Sequence, residues 1–184
     1  MIFIFNANLY QYGCDDKVTL NEQETMTIHI VFVCLGNICR SPSAQGILEK
    51  LVNDAKLQDK ITVDSCGTAA FNVGKHPDPR AIAACQRKGY SIEQQIARQI
   101  TATDYQQADY VISMDNINMM SVKAWAPDDY QGELSLFMRY GGGSEFAQVP
   151  DPYYHEANQF DGTITVLEKA AKGLLAHIKE KHQL

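Results

Sequence analysis

The sequence predicts an α/β fold, a four-stranded parallel sheet in the order 2-1-3-4 with helices on both faces. Three observations predict it. Four short apolar runs alternate with segments of helical period, and strands alternating with helices make a parallel sheet with right-handed crossovers. The first run, "IHIVFV" at 28–33, is apolar without alternation, as a strand covered on both faces must be. At 184 residues, 45% hydrophobic and 21% charged, the chain is long enough for one sizeable core and too short for two.

The elements follow in order. Residues 1–25 are expected to be a peripheral N-terminal extension, because "NANLYQYGCDDKVTLNEQET" is polar and has no sustained apolar period; the domain proper runs over 26–184. The apolar start of the extension, Ile2 to Phe5, is open to three readings: a short edge strand, a membrane-surface contact, or a consequence of start-site choice, with Met26 as a second start. After the strand at 28–33, Ser41-Pro42 opens a helix, and Ala44, Ile47, Leu48, Leu51, Val52 and Ala55 recur at helical spacing. "ITVDSC" (61–66) is the second strand, followed by the loop "GTAAFNVGKHPDP" and a helix through "RAIAACQRKG". "DYVISM" (109–114) is the third, followed by a helix from about Asn116 to Trp125. "LSLFM" (134–138) is the fourth; a loop then leads to "VPDPYY" and to a long final helix with Ile164, Leu167, Ala171, Leu174, Leu175 and Ile178 on one face.

The order 2-1-3-4 reverses beside strand 1, so a ligand crevice is expected at the carboxyl end of that strand. Because the strands are parallel, the loops carrying "GTAAFN", Asp115 and "VPDPYY" open at the same edge.

Composition excludes several classes. A net charge of -6 argues against a general nucleic-acid grip, while leaving room for a small cationic pocket. No apolar run reaches the roughly 18 residues of a membrane span, and "MIFIFNANLY" lacks the basic region and the length of a secretory signal. The protein is therefore expected in the cytoplasm, with no membrane partner. Five cysteines, Cys14, Cys34, Cys39, Cys66 and Cys85, are an odd number and favour reduced thiols over a disulfide framework. The five histidines are scattered, none at zinc-ligand spacing with Cys or Glu, so no metal and no cofactor is expected.

The chemistry concentrates in "VCLGNICRSP", residues 33–42. A loop joining a strand to a helix N-terminus turns backbone N–H groups inward, and the helix dipole adds positive charge, so it suits a tetrahedral oxyanion. Cys34 would lie beneath these donors and near Arg40, conditions that favour a nucleophilic thiolate. The planar fork of Arg40 can hold two phosphoryl oxygens and follow them as charge develops. Ser41 can donate a hydrogen bond to the thiolate. Gly36 and Asn37 suit the tight bend, since Asn tolerates the left-handed conformation. The stretch is not a nucleotide P-loop, which needs G-x-x-x-x-G-K-[ST] and its lysine.

With "VDSCGT" after it and "VPDPYY" near the end, this stretch resembles the low-molecular-weight protein tyrosine phosphatases, from about Met26 to the C-terminus. The resemblance implies hydrolysis of phosphotyrosine through a phosphocysteine intermediate. It makes Cys34 the nucleophile, Arg40 the phosphate clamp, Ser41 the thiolate partner, Asn37 the loop-shaping residue, Asp151 the general acid and Ser65 a support for the loop through Asn37. Asp151 also has a physical rationale, because an aryl-oxide leaving group needs a proton and a carboxyl facing a phosphate dianion is pushed towards its acid form. The resemblance makes Phe71, Tyr153 and Tyr154, with Leu35 and Ile38, the walls for a flat phenyl ring, and places Asn72 among positions that tune substrate preference. Gly36 and Cys39 complete the loop around the phosphate. The implied partner is a phosphotyrosine-containing protein, with a tyrosine kinase as a further candidate.

Two departures stand out. Many relatives carry a histidine two residues before "ARQ" in the network around the loop asparagine, where this chain has Gln95. "FMRYGGGSEFAQ" also looks like a Gly-rich insertion ahead of the acid. Two alternatives stand beside it: a thiol-coupled arsenate reductase on the same fold, using Cys66 and Cys85, and, as a different class, an inactive phosphotyrosine-binding regulator. The close Cys34–Cys39 spacing further predicts that Cys39 captures an oxidised Cys34 as a reversible disulfide.

Overall fold

β1 (Ile28–Cys34) is the centre of a single sheet of four parallel strands in the computed structural model, which describes residues 27–143 and 147–184. The expected extension over 1–25 lies outside the described residues. The strand order is β2-β1-β3-β4. β2 (Ile61–Gly67) pairs with β1 from Ile28↔Ile61 to Cys34↔Gly67. On the other side lies β3 (Tyr110–Ser113), with β4 (Glu133–Leu136) beyond it.

The central strand sends alternate side chains into two cores, which is why its sequence is apolar at nearly every position. Ile30 and Phe32 join a large cluster with Ile47 and Leu48 of α1 (Arg40–Asp54), Ala84 of α2 (Pro79–Arg87) and Leu167 of α5 (Ala157–His182). Val31 and Val33 face the opposite layer, where Tyr105 of α3 (Ala102–Gln107) and Val122 of α4 (Asn116–Trp125) cover them.

Helix starts follow local chemistry. Asp78 caps α2 by accepting the Arg80 N–H, with Pro79 in the first turn, and Asp115 caps α4 by accepting the Asn118 N–H. α1 begins at Arg40, so Pro42 is its third residue, still among the positions whose N–H has no intrahelical acceptor.

Two features differ from the sequence expectation. α3 has only six residues, held by a capping box between Thr101 and Asp104, and is too short to show a helical period. The fourth strand stops at Leu136, and Phe137–Gly141 turns into a 3₁₀ helix. Phe137 is apolar because its ring packs on that of Phe32, centroids 4.7 Å apart, and not because it continues a strand. Among the described residues no helix is long and apolar enough to cross a membrane.

Candidate active site

Cys34 is the last residue of β1 and Arg40 the first of α1, so the five residues between them form the loop at the carboxyl edge of the sheet. The bend is made at Asn37, whose φ of 53° is left-handed. That conformation aims the Asn37 N–H at Cys34 Sγ, 3.2 Å away. The Asn37 amide is itself anchored: Nδ2 donates to Ser41 Oγ and to Ser65 Oγ, both at 2.9 Å, and Oδ1 accepts the backbone N–H of Arg98 at 2.9 Å.

Ser41 Oγ lies 3.0 Å from Cys34 Sγ and 3.1 Å from the Cys66 carbonyl oxygen. The hydroxyl has one proton and two acceptors within reach. With a thiol at Cys34 it can donate to the carbonyl and accept from sulfur; with a thiolate it can donate to sulfur, stabilising the negative charge.

Arg40 is 4% exposed, and its guanidinium is flanked by two carboxylates. Nη1 donates to Asp115 Oδ2 at 2.6 Å and to the Val149 carbonyl at 3.3 Å, while Nη2 donates to Asp151 Oδ2 at 2.7 Å. Asp115 is fixed by its capping bond to α4. Asp151 is more accessible, at 36% exposure, and its other oxygen accepts the Tyr153 N–H at 3.2 Å.

These groups open on a cleft of about 160 Å³ lined by Cys34, Leu35, Gly36, Ile38, Cys39, Arg40, Phe71, Asn72, Asp151, Tyr153 and Tyr154. Thiol and guanidinium are buried, whereas Phe71 and Tyr154 are exposed as its rim. Asn72 donates to the Gly36 carbonyl at 3.3 Å, tying the rim to the loop. Such a bowl, with sulfur, the Asn37 N–H aimed at it, a guanidinium and a carboxylate at the mouth, suits attack by a thiolate on a tetrahedral oxyanion. A larger hollow of about 680 Å³ lies at the opposite end of the sheet, beside Asp109, Tyr110 and Glu133, but its Lys181 is bonded to Glu133 and its His182 to Tyr110.

The family model for the low molecular weight phosphotyrosine protein phosphatases matches residues 29–184. The chain belongs to this family. A low molecular weight phosphotyrosine protein phosphatase of Schizosaccharomyces pombe is 36% identical over 137 residues, covering 74% of this chain and 87% of the relative. The crystal structure of a protein tyrosine phosphatase from Entamoeba histolytica, holding Hepes in its active site, matches with a TM-score of 0.79 at 31% identity, over 86% of this chain and all of that one. A structure described as a Drosophila arginine phosphatase matches with a TM-score of 0.75 at 31% identity, over 82% of this chain and 97% of its own.

Within this phosphatase fold, Cys34, Arg40 and Asp151, with Leu35, Gly36, Ile38, Cys39, Phe71, Asn72, Tyr153 and Tyr154, share one cleft, while Asn37, Ser41 and Ser65 brace it from behind. Gln95 is placed differently from the network position expected for it: it donates to the Pro42 carbonyl at 3.2 Å. Ser65 donates instead to Gln45 Oε1 at 2.7 Å, so Gln45 is the amide that joins the network. Asp115 lies at the sheet edge where it was expected, but its bond to Arg40 was not foreseen, since a carboxylate before a helix reads as a simple cap; Arg98 was passed over. Burial pushes the Cys39 thiol well up, reinforced by Asp78, Cys34 and Asp151 and opposed by Arg80. Cys66 and Cys85 are fully buried and do not line the cleft.

Proposed function

We propose that this chain hydrolyses phosphotyrosine in proteins in two steps. Cys34 attacks phosphorus in line while Asp151 protonates the departing phenolate. Asp151 then activates a water that hydrolyses the phosphocysteine, with Cys34 as leaving group. Arg40 binds the equatorial oxygens throughout, and Ser41 donates to sulfur whenever it is charged. The observation that carries this reading is the placement of Cys34, Arg40 and Asp151 on one small cleft, with Asp151 2.7 Å from the arginine. An incoming phosphate competes with Asp151 for that nitrogen, freeing the carboxyl to face the leaving group, while Asp115 keeps the guanidinium aimed.

The aromatic and aliphatic walls favour a flat aryl group, and a phosphoserine is too short for its phosphorus to reach sulfur at the base. A tyrosine kinase would supply the substrate, and a cytoplasmic location suits an enzyme that needs a reduced thiol. Cys39 belongs to the same reading as a redox partner. The Cys34 thiolate takes one oxygen from peroxide, releasing hydroxide, and the Cys39 thiol then displaces water from the sulfenic acid to close a disulfide.

The test is aryl phosphate hydrolysis by point variants. Cys34→Ser is expected to lose turnover while keeping phosphate binding, and Arg40→Ala to lose both. Asp151→Asn should slow cleavage by roughly 10²–10⁴-fold, less for leaving groups that need little protonation. EDTA should have no effect. Near-normal turnover by Cys34→Ser would end the proposal, and faster cleavage of a phosphoarginine peptide than of its phosphotyrosine counterpart would overturn the aryl assignment.

A further inference from the structure

Behind the loop lies a closed ring of hydrogen bonds that the reaction itself does not touch. Starting at Asn37, Oδ1 accepts the Arg98 N–H at 2.9 Å. The Arg98 guanidinium donates to Asp64 Oδ2 from Nη2 at 2.7 Å and from Nε at 3.2 Å. Asp64 Oδ1 accepts the Ser65 N–H at 2.6 Å, and Ser65 Oγ accepts from Asn37 Nδ2 at 2.9 Å, which closes the ring. The same guanidinium makes two further bonds to Asp104, at 3.0 and 2.7 Å. The Arg98 carbonyl accepts the Gly67 N–H at 2.8 Å, fixing Arg98 to the end of β2.

The ring matters because of what it holds. A non-glycine residue in the left-handed region is uphill, and persists only where its surroundings over-determine it. If Asn37 relaxed, its N–H would turn away from Cys34 Sγ and the bend of the loop over the sulfur would open. Both ends of the Asn37 amide are pinned, and a pin at each end leads back to Arg98, one through its backbone and one through Ser65 and Asp64, beside the bond of Nδ2 to Ser41. Asp104 fixes the far side of the guanidinium. Burial opposes the Asp104 charge, but the bonds from Arg98 and Thr101 outweigh it and hold the carboxyl below its ordinary range.

We propose that Arg98 is a positioning residue for the phosphate-binding loop, holding the left-handed bend at Asn37 that aims the loop amide at Cys34. The role rests on the reading of Cys34 as nucleophile under "Proposed function", and its readouts are chosen to work without turnover.

The experiment compares Arg98→Gln, Arg98→Lys and Asp104→Asn with wild type. Arg87→Ala, which loses an exposed ion pair to Asp161, is the control. Two quantities are measured where circular dichroism shows each variant folded: the rate of Cys34 alkylation by iodoacetamide at fixed pH, and the affinity for inorganic phosphate. Arg98→Gln is expected to lower both by about fivefold or more. Arg98→Lys and Asp104→Asn should fall between it and wild type, and Arg87→Ala should leave both unchanged. A merely structural arginine would lower the thermal midpoint and leave both quantities alone. The proposal is overturned by folded Arg98→Gln with both values within about twofold of wild type, or, should that variant not fold, by unaltered values in both milder ones. A wild type that binds phosphate but cleaves no aryl phosphate would sink the proposed reaction, while alkylation and phosphate affinity still decide the role of Arg98.

Discussion

Gly67 ends β2 directly behind the loop from Cys34 to Arg40, and its missing side chain lets the two backbones meet. A Cβ there would lie 2.7 Å from the Leu35 carbonyl oxygen and 3.1 Å from the Asn37 nitrogen. Both are backbone atoms of a pinned loop, so neither can step aside as a side-chain end would. Gly67→Ala should therefore force the loop outward, at about 1–3 kcal/mol of strain, and cost roughly tenfold or more in kcat/KM. Steady-state kinetics with phosphate as competitive inhibitor checks this, and an unaltered inhibition constant would show that the loop does not feel the methyl group. The gathering of Cys34, Asn37, Arg40 and Ser41 around one loop was legible in the sequence because strand, bend and helix start are local. Arg98 was not, because it meets the loop from a distant segment; nor were the bond of Asp115 to Arg40 and the link of Gln45 to the loop through Ser65, because each of these residues has an ordinary local reason to be on its helix.

At the scale of elements, α5 shows how a long helix is placed. Its buried stripe, Ile164, Leu167, Ala171, Leu174 and Ile178, was legible as a 3.6-residue period. What the period could not show is the close approach of the 3₁₀ turn, where a Cβ on Gly173 would collide with the Tyr140 carbonyl. Alanine would gain about 1 kcal/mol of helix propensity over glycine, but the clash is with backbone and costs about 1–3 kcal/mol or more. Gly173→Ala is thus expected to destabilise the fold, lowering the urea midpoint. A raised midpoint would mean that the turn moves freely off the helix. The same turn explains the overrun of the fourth strand: Phe137 and Met138 extend an apolar run, and only their packing tells a strand residue from a core residue in a turn. α3 escaped notice because its capping box carries more of the signal than its six residues can.

For the whole molecule, the alternation of strands and helices was enough to give the sheet order, because crossover handedness and burial of both faces leave few topologies. Charge distribution was not legible in this way, since it depends on which distant groups meet, and it sets how stability responds to pH. Asp78 is held below its ordinary range by hydrogen bonds from Arg80. In Asp104, Glu133 and Glu168 burial opposes the charge, yet bonds from Arg98, from Tyr140 and Lys181, and from Lys88 and Tyr90 respectively prevail and hold each carboxyl low. A carboxyl depressed in the folded state contributes stability that is present above its unfolded value and lost as pH falls through the folded one. Stability should therefore decline below about pH 4, opposed only in part by Glu49, which burial raises. On the alkaline side the buried thiols of Cys39, Cys66 and Cys85 are raised, Cys85 to about 11, and burial lifts Tyr90 and Tyr105 to about 12. Raised groups contribute stability that is full below their unfolded values and lost as pH climbs towards the folded ones, so the decline should begin near pH 8.5 with the thiols and steepen near pH 10 with the tyrosines. Urea midpoints measured under reducing conditions from pH 3 to 10.5 should trace a plateau between about pH 5 and 8 with both shoulders falling. A midpoint that holds level from pH 5 down to 3 would mean that these ion pairs contribute nothing to folding, and one that holds level to pH 10.5 would mean the same of the buried thiols and phenols.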